Sequence, residues 1–404
     1  MRILFVTSVL PVPTSSGSAQ RTSLIIKALA ELGEVDLFLV GRLGEAPMLS
    51  AAGYQVAGGT MASPATGKLF GAAAGLAERI AKVLLPGSAR FAVREDIFQP
   101  LRTIFENGRY DVAVGRYLGD SSRAGLQQLV PNIIDVDDLD SQKVGSWLEM
   151  KELPFLLSLP GGWVLSALRR AELGRLAAAS YVWTATDEDA RNIGHARVQV
   201  LPNIPFETTP EYRNSPQGGD VLFVGSLDYR INRNAVERFL SASWRSIKAV
   251  RPDLRLRIVG GGLDQRTRQR WSEAEGVTVV GYVKNLAEEY ARASLAIVPI
   301  WEGGGTKIKV LEALAFGRTC VVAAPSTRGY ADLIESQTIA PAATEEDLAA
   351  GVVRLCQEDA LRWDMEKRGQ VLVAERYGYA RVRDAVHRVV AEVVKASTSG
   401  HPAN

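Results

Sequence analysis

Cysteine and histidine are nearly missing from this chain, whose 404 residues include 2 Cys and 3 His. Two thiols, Cys320 and Cys356, make no disulfide framework. Cys320 falls inside an apolar run and reads as core filler, so a reducing, cytosolic setting is expected. His195, His387 and His401 are too scattered in sequence to form a metal site. An excess of one charge is lacking too: 47 Lys and Arg against 45 Asp and Glu leave a net charge of +2, and bulk electrostatics suggests no nucleic-acid partner. No segment approaches the roughly 18 to 20 continuous apolar residues that a membrane span needs. The opening MRILFVTSVLP is a short apolar run without an A-x-A-type cleavage site. It is expected to be a first β-strand and not a secretion signal. With 47% hydrophobic and 23% charged residues, the chain has enough apolar material for two domains with full cores.

The order of elements points to an α/β architecture. Arg2 to Ser8 is a continuous apolar strand of the kind buried on both faces of a parallel sheet. A loop with Pro11, Pro13 and Gly17 follows. Next comes a helix carrying Leu24, Ile25, Ala28, Leu29 and Leu32 to a stop at Gly33, then a second strand from Val35 to Val40. This is a half-Rossmann start. DVLFVGS (Asp220 to Ser226) echoes ILFVTS (Ile3 to Ser8), so the chain restarts the same pattern and two Rossmann-like domains in tandem are expected. The boundaries are set at 1–208 and 219–378, with a polar Pro- and Gly-bearing linker at 209–218. A long amphipathic helix is expected at 379–396 and a disordered polar tail at 397–404.

The most informative stretch runs from Leu295 to Ala323. An apolar strand leads into Gly303, Gly304 and Gly305, and a helix opening near Thr306 runs to Gly317 before a further apolar strand. Glycines at such a corner let backbone N–H groups approach an anion, and the helix N-terminus adds about half a positive charge there. Lys307 and Lys309 place two full charges where the helix dipole disfavours cations. A bound diphosphate accounts for that placement; the plainer reading is a buried crossover with solvated lysines. Gly260, Gly261 and Gly262 end another strand and face the same side if the sheet is parallel. Asp135, Asp137 and Asp138 end the strand from Asn132. Their D-x-D spacing invites a metal reading, set aside because the lysines already supply charge for an anion. Hydrogen bonds to acceptor hydroxyls, or capping of the next helix, are the two remaining roles. The alanine-rich, cation-spaced stretch 61–98 and the uncharged run 153–168 each read either as core helices or as faces for an anionic membrane.

G-G-G-T-K-I-K-V-L-E-A-L-A-F-G-R, from Gly303 to Arg318, resembles the signature helix of family 4 glycosyltransferases. These are retaining enzymes of the GT-B fold that use nucleotide-diphosphate sugars. The resemblance implies two Rossmann-like domains with parallel sheets facing across a cleft, and a last helix crossing back to the first domain. It makes Glu312 the ribose ligand, and the placement of Lys307 and Lys309 assigns to them the steadying of the diphosphate. The family's motif has two glutamates separated by seven residues; here Gly304 stands at the first, with Glu302 two residues upstream. Pro202-Asn203 resembles the family's P-N-G turn. Gly225, Ser226 and Asp228 fall in its donor loop, where an arginine and a lysine usually hold the diphosphate; here Ser226 stands at the arginine position and no clear lysine follows. Gly281-Tyr282-Val283 resembles the turn that reads the nucleobase, and Gly260, Gly261, Gly303, Gly305 and Thr306 complete the expected donor set. Gly17 matches a cleft-lining glycine; Arg21, near the helix start, reads either as an anion or acceptor contact or as a solvated arginine.

The resemblance implies sugar transfer to a hydroxyl of a saccharide or lipid-linked saccharide, with neither cofactor nor metal, in bacterial envelope or exopolysaccharide assembly. The expected location is the cytoplasm, with peripheral contact at the inner face of the cell membrane. Two alternatives stand beside it. One is a catalytically inactive GT-B scaffold, which the missing first glutamate would fit. The other is a nucleotide-sugar epimerase, for which no placed histidine and acid pair is found.

Overall fold

The computed structural model describes residues 1–12, 17–61, 91–149, 161–207, 210–303 and 305–399. Most of the two stretches with an open membrane reading, 61–98 and 153–168, lies outside them. Within them, no helix is long and apolar enough to cross a membrane. The chain divides into two compact units, residues 1–202 with 382–404, and residues 203–381.

The first unit is built on a seven-stranded sheet, all of it parallel, in the order β3-β2-β1-β4-β5-β6-β7. The strands are β1 (Arg2–Thr7), β2 (Glu34–Leu39), β3 (Gln55–Gly59), β4 (Val112–Arg116), β5 (Asn132–Asp135), β6 (Tyr181–Thr184) and β7 (Val198–Val200). The central strand β1 aligns Phe5 with Leu37 on one side and Val114 on the other, all fully buried. That explains the apolar run from Ile3 to Val6: both faces are covered there.

The second unit repeats the winding with six parallel strands in the order β10-β9-β8-β11-β12-β13. These are β8 (Asp220–Val224), β9 (Leu256–Val259), β10 (Val277–Gly281), β11 (Ala293–Val298), β12 (Cys320–Ala323) and β13 (Ala340–Ala342). Phe223 aligns with Ile258, and Leu222 with Ala296. Cys320 is fully buried in β12, packed as its apolar neighbours are. In both sheets the first strand sits inside, and the order of growth reverses beside it. A crevice then forms at the carboxyl ends of the two central strands, the usual ligand position in open α/β sheets.

Two boundaries differ from expectation. The last helix, Tyr379–Ser399, is longer than 379–396 and takes in the start of the expected tail. From Val382 on it belongs to the first unit, where His387 Nε2 lies 2.8 Å from the carbonyl oxygen of Ala28. The segment expected as a linker, in its described part from Pro210, is fastened to the helix Asp359–Arg376. Gln370 donates to the Pro210 carbonyl at 2.9 Å, and Trp363 Nε1 to that of Ser215 at 2.9 Å. Arg362 Nε donates to Ser215 Oγ at 2.9 Å, and the Ser215 N–H donates to Glu366 at 3.1 Å. Apart from the Ser215 hydroxyl, the partners of these helix side chains are main-chain groups of the segment.

Glu366 is fully buried, and one of its oxygens has no hydrogen bond. Burial pushes its carboxyl from the ordinary 4.5 up to about 7, against the Ser215 hydrogen bonds and the Arg318 and Arg362 charges. A raised folded-state pKa contributes stability in full below the unfolded value, and that contribution is lost as pH rises through the folded one. Glu366→Gln should therefore match the parent below about pH 4.5 and gain stability over it progressively up to about pH 7, levelling off above, as followed by urea denaturation of the two proteins across that range.

Candidate functional site

The helix Ile308–Ala315 opens two residues later than the sequence suggests, with Lys307 as its N-cap. Gly303 and Gly305 precede it at φ 88° and 74°, a left-handed backbone that side chains resist. Gly304 lies outside the described residues. Lys307 Nζ turns back and donates to the carbonyls of Gly303 at 3.2 Å and Gly305 at 3.1 Å, holding the loop closed on itself.

Lys309 reaches the other way, toward the end of β8. Its Nζ donates to Asn232 Oδ1 at 2.8 Å and lies 4.9 Å from the centre of the Phe223 ring. Asn232 is itself fixed, because its Nδ2 donates to the Ser226 carbonyl at 2.7 Å. Gly225 leaves the space that the ammonium fills: a Cβ there would stand 2.8 Å from Nζ and 3.0 Å from Asn232 Nδ2. Desolvation pulls the lysine down to about 7, and the Lys307 charge acts in the same direction while Glu312 opposes both. Asn232 went unassigned in the sequence. It is a polar residue buried in the first turn of the helix Arg230–Phe239.

Glu312 is buried and accepts a 2.8 Å hydrogen bond from the Tyr290 hydroxyl, while Tyr290 stacks on Phe316 with ring centres 4.5 Å apart. Burial raises the Glu312 carboxyl, against the pull of Tyr290 and Lys309. Glu302 accepts from Asn234 Nδ2 at 3.1 Å, and Thr306 Oγ1 from Asn203 Nδ2 at 2.9 Å. Ser226 Oγ closes on Asp228. Backbone bonds knit the strand ends together: Gly225 N–H to Val259 O at 3.0 Å, Leu227 N–H to Gly261 O at 2.7 Å, and Gly260 N–H to Gly281 O at 2.8 Å. Tyr282, beyond β10 and followed by Val283, is largely exposed. The described donor-set residues thus gather at or just beyond the carboxyl ends of four neighbouring strands, β10, β9, β8 and β11, with Glu312 in the helix that follows.

Residues 218–358 match the family model described as "Glycosyl transferases group 1". Over that stretch the second unit is similar to the group 1 glycosyltransferases. Solved structures extend the likeness to the whole fold. A sucrose-phosphate synthase from Thermosynechococcus elongatus superposes with a TM-score of 0.68 at 16% identity, over 98% of this chain and 100% of that one. HepE of Anabaena, solved with UDP and glucose, gives 0.63 at 13% identity, over 97% and 100%. WaaG, a glycosyltransferase involved in lipopolysaccharide biosynthesis, gives 0.58 at 14% identity, over 96% and 99%. The chain therefore has the GT-B fold of two Rossmann-like sheets. An exopolysaccharide phosphotransferase of Streptomyces coelicolor is 33% identical over 175 residues, 41% of this chain and 18% of that relative's length. The stretch matching the glycosyltransferase model contains Gly225, Asn232, Lys309 and Glu312 together.

The first unit departs from the residue roles expected of it. Arg21 and Asp135 were expected to meet an acceptor, but both are buried and bound to each other, Arg21 Nη2 to Asp135 Oδ1 at 2.6 Å and Nε to Oδ2 at 3.0 Å. Arg116, fully buried at the end of β4, donates to Asp135 at 2.9 Å and to Asp137 at 2.7 Å. Arg21 Nη1 also donates to the Leu201 carbonyl at 2.6 Å. Two guanidinium groups and two carboxylates thus tie β4, β5 and the end of β7 to the first helix, Gly17–Ala30. Buried ions of this kind need opposite charges at hydrogen-bonding distance, which is why Asp135 turns inward. Asp137 is held at φ 53° by the same arginine, Asp138 follows half-buried, and Gly17 opens the helix. Asp135→Ala leaves two buried guanidinium groups short of a partner. It should cost about 3–5 kcal/mol in a chemical denaturation experiment, far more than an exposed carboxylate would.

Proposed function

We propose that the chain is a retaining glycosyltransferase that moves a sugar from a nucleoside-diphosphate donor to a hydroxyl acceptor. The observation that carries this is the seating of the Lys309 ammonium against Gly225, at the carboxyl end of the strand beside the switch point, within the stretch matching the family model. Loss of a nucleoside diphosphate develops negative charge on the leaving oxygen. Fixed cations and backbone donors in a site poor in water stabilise that charge more than solvent does, and such stabilisation usually supplies most of the rate enhancement. Lys309, Lys307 and the N–H groups around Gly305 and Thr306 are the groups to do it. Glu312, oriented by Tyr290, is placed to accept from ribose hydroxyls. Because the two ammonium groups supply the charge, turnover is expected to survive removal of divalent metal by EDTA. Retention follows if the acceptor attacks from the leaving-group side and a phosphate oxygen takes its proton.

The UDP and glucose named for HepE favour a uridine donor, and the exopolysaccharide named for the Streptomyces relative favours a glycan acceptor in envelope assembly. The acceptor is assigned to the first unit by the family resemblance. A lipid-linked acceptor would bring the protein to the inner membrane face. The inactive-scaffold reading draws on one observation, the glycine at position 304 where the family has its first glutamate.

Lys307→Ala together with Lys309→Ala should reduce turnover at least 100-fold, worth about 3 kcal/mol of transition-state stabilisation, with the fold intact by circular dichroism. Near-parental rates would refute the assignment. Gly225→Ala, which drives a methyl into the ammonium, should weaken UDP binding about tenfold or more in calorimetry, the scale of a charged hydrogen bond. If no nucleotide sugar in a panel is turned over or hydrolysed by the parent, the scaffold reading takes its place.

A further inference from the structure

The Lys309 nitrogen donates to a neutral group, the Asn232 amide oxygen. On its own helix it has Lys307 and Glu312 as charged neighbours, and the Glu312 carboxylate accepts a hydrogen bond from Tyr290. The helix Arg230–Phe239 offers it the amide of Asn232, and β8 offers the Phe223 ring and the bare backbone of Gly225. Of the acids on the neighbouring loops, Asp228 is closed on Ser226 and Glu302 accepts from Asn234. Among the described residues no carboxylate stands within ion-pair distance of Lys309 Nζ. A desolvated amine with a neutral acceptor and a second cation beside it is biased toward its uncharged form.

We propose that donor binding at this site is coupled to protonation: Lys309 takes a proton from solvent as the diphosphate arrives, and Asn232 is the positioning residue that keeps its nitrogen aimed at the anion. The proposal rests on the reading of the site as a diphosphate site. In the step, R–NH2 and H+ become R–NH3+, and no bond of the donor is broken. The lowering of this lysine to about 7 in the free protein supports the geometry. An anion brought within a few ångströms offsets the cost of desolvation and raises the pKa again. Asn232 aids both states. Its Nδ2 is committed to the Ser226 carbonyl, so Oδ1 must face Nζ whether that nitrogen carries two hydrogens or three. Unprotonated lysine at rest also lowers the repulsion that two adjacent ammonium groups would otherwise build into the fold.

The sign is fixed by linkage. Binding that takes up a proton weakens as pH rises above the free-state pKa, with affinity falling up to about tenfold per pH unit. The test is calorimetric titration with UDP, then GDP, ADP and dTDP, in HEPES and in Tris at about pH 8. These buffers differ in ionisation heat, and at that pH the terminal phosphate is already fully ionised. The expected result is uptake of close to one proton for each nucleotide bound. Asn232→Asp places a carboxylate where the amide oxygen stands, charges Lys309 beforehand, and should bring the uptake toward zero with the lysine still present. Nucleotide binding without proton uptake overturns the proposal and leaves the diphosphate reading intact. Uptake unchanged in Asn232→Asp assigns the proton to another group and likewise overturns it. If none of the four nucleotides binds, both readings fall together.

Discussion

The second unit depends on a lysine nitrogen held by an amide. Lys309, Asn232 and the carbonyl of Ser226 form a short chain of hydrogen bonds that joins the helix after β11 to the loop after β8. Those two strands are neighbours in the sheet but are separated by about seventy residues of chain, and the glycine at 225 lets their ends approach. Without an amide in that place the ammonium would have a weaker hold, and the two sides of the crevice would lose a polar link. Neutral support has a physical advantage here. A carboxylate would bind the lysine more tightly and thereby neutralise the charge that an incoming anion needs.

The first unit solves the opposite problem. There the charges are paired off completely, two arginines against two aspartates, and the result is rigid scaffolding at the carboxyl ends of β4 and β5. The two sheets share a winding order, yet they use ions in different ways, one to close a structure and one to leave a charge available. The contrast also separates acidic residues from one another: Asp135 is paired with two arginines, while Glu312 accepts a hydrogen bond from a phenol.

The winding of both sheets was legible because buried parallel strands must be apolar throughout, and ILFVT and VLFV announce themselves. The glycine corner and its two lysines were legible for a similar reason: they form a local pattern whose physics acts within one turn of helix. What escaped depends on contacts distant in sequence. Asn232 meets Lys309 across 77 positions, and Ser215 meets Glu366 across 151, so nothing beside either residue marks its task. Arg116 sits in VAVGR as the last residue of a buried strand, and its two carboxylate partners could be recognised only once β4 and β5 were paired. Polar composition alone made the segment before β8 resemble a loose connection, although its backbone is needed to satisfy Arg362, Trp363 and Glu366.

The path of the chain bears on its biosynthesis. The first unit is interrupted after Pro202 and completed by residues from Val382 onward, where His387 meets Ala28 at a separation of 359 positions. A nascent chain emerging from the ribosome therefore exposes the apolar bed for that closing helix throughout synthesis of the whole intervening unit. At roughly 5–20 residues per second this lasts on the order of ten seconds or more, during which the amino-terminal half depends on chaperones or on partial structure of its own.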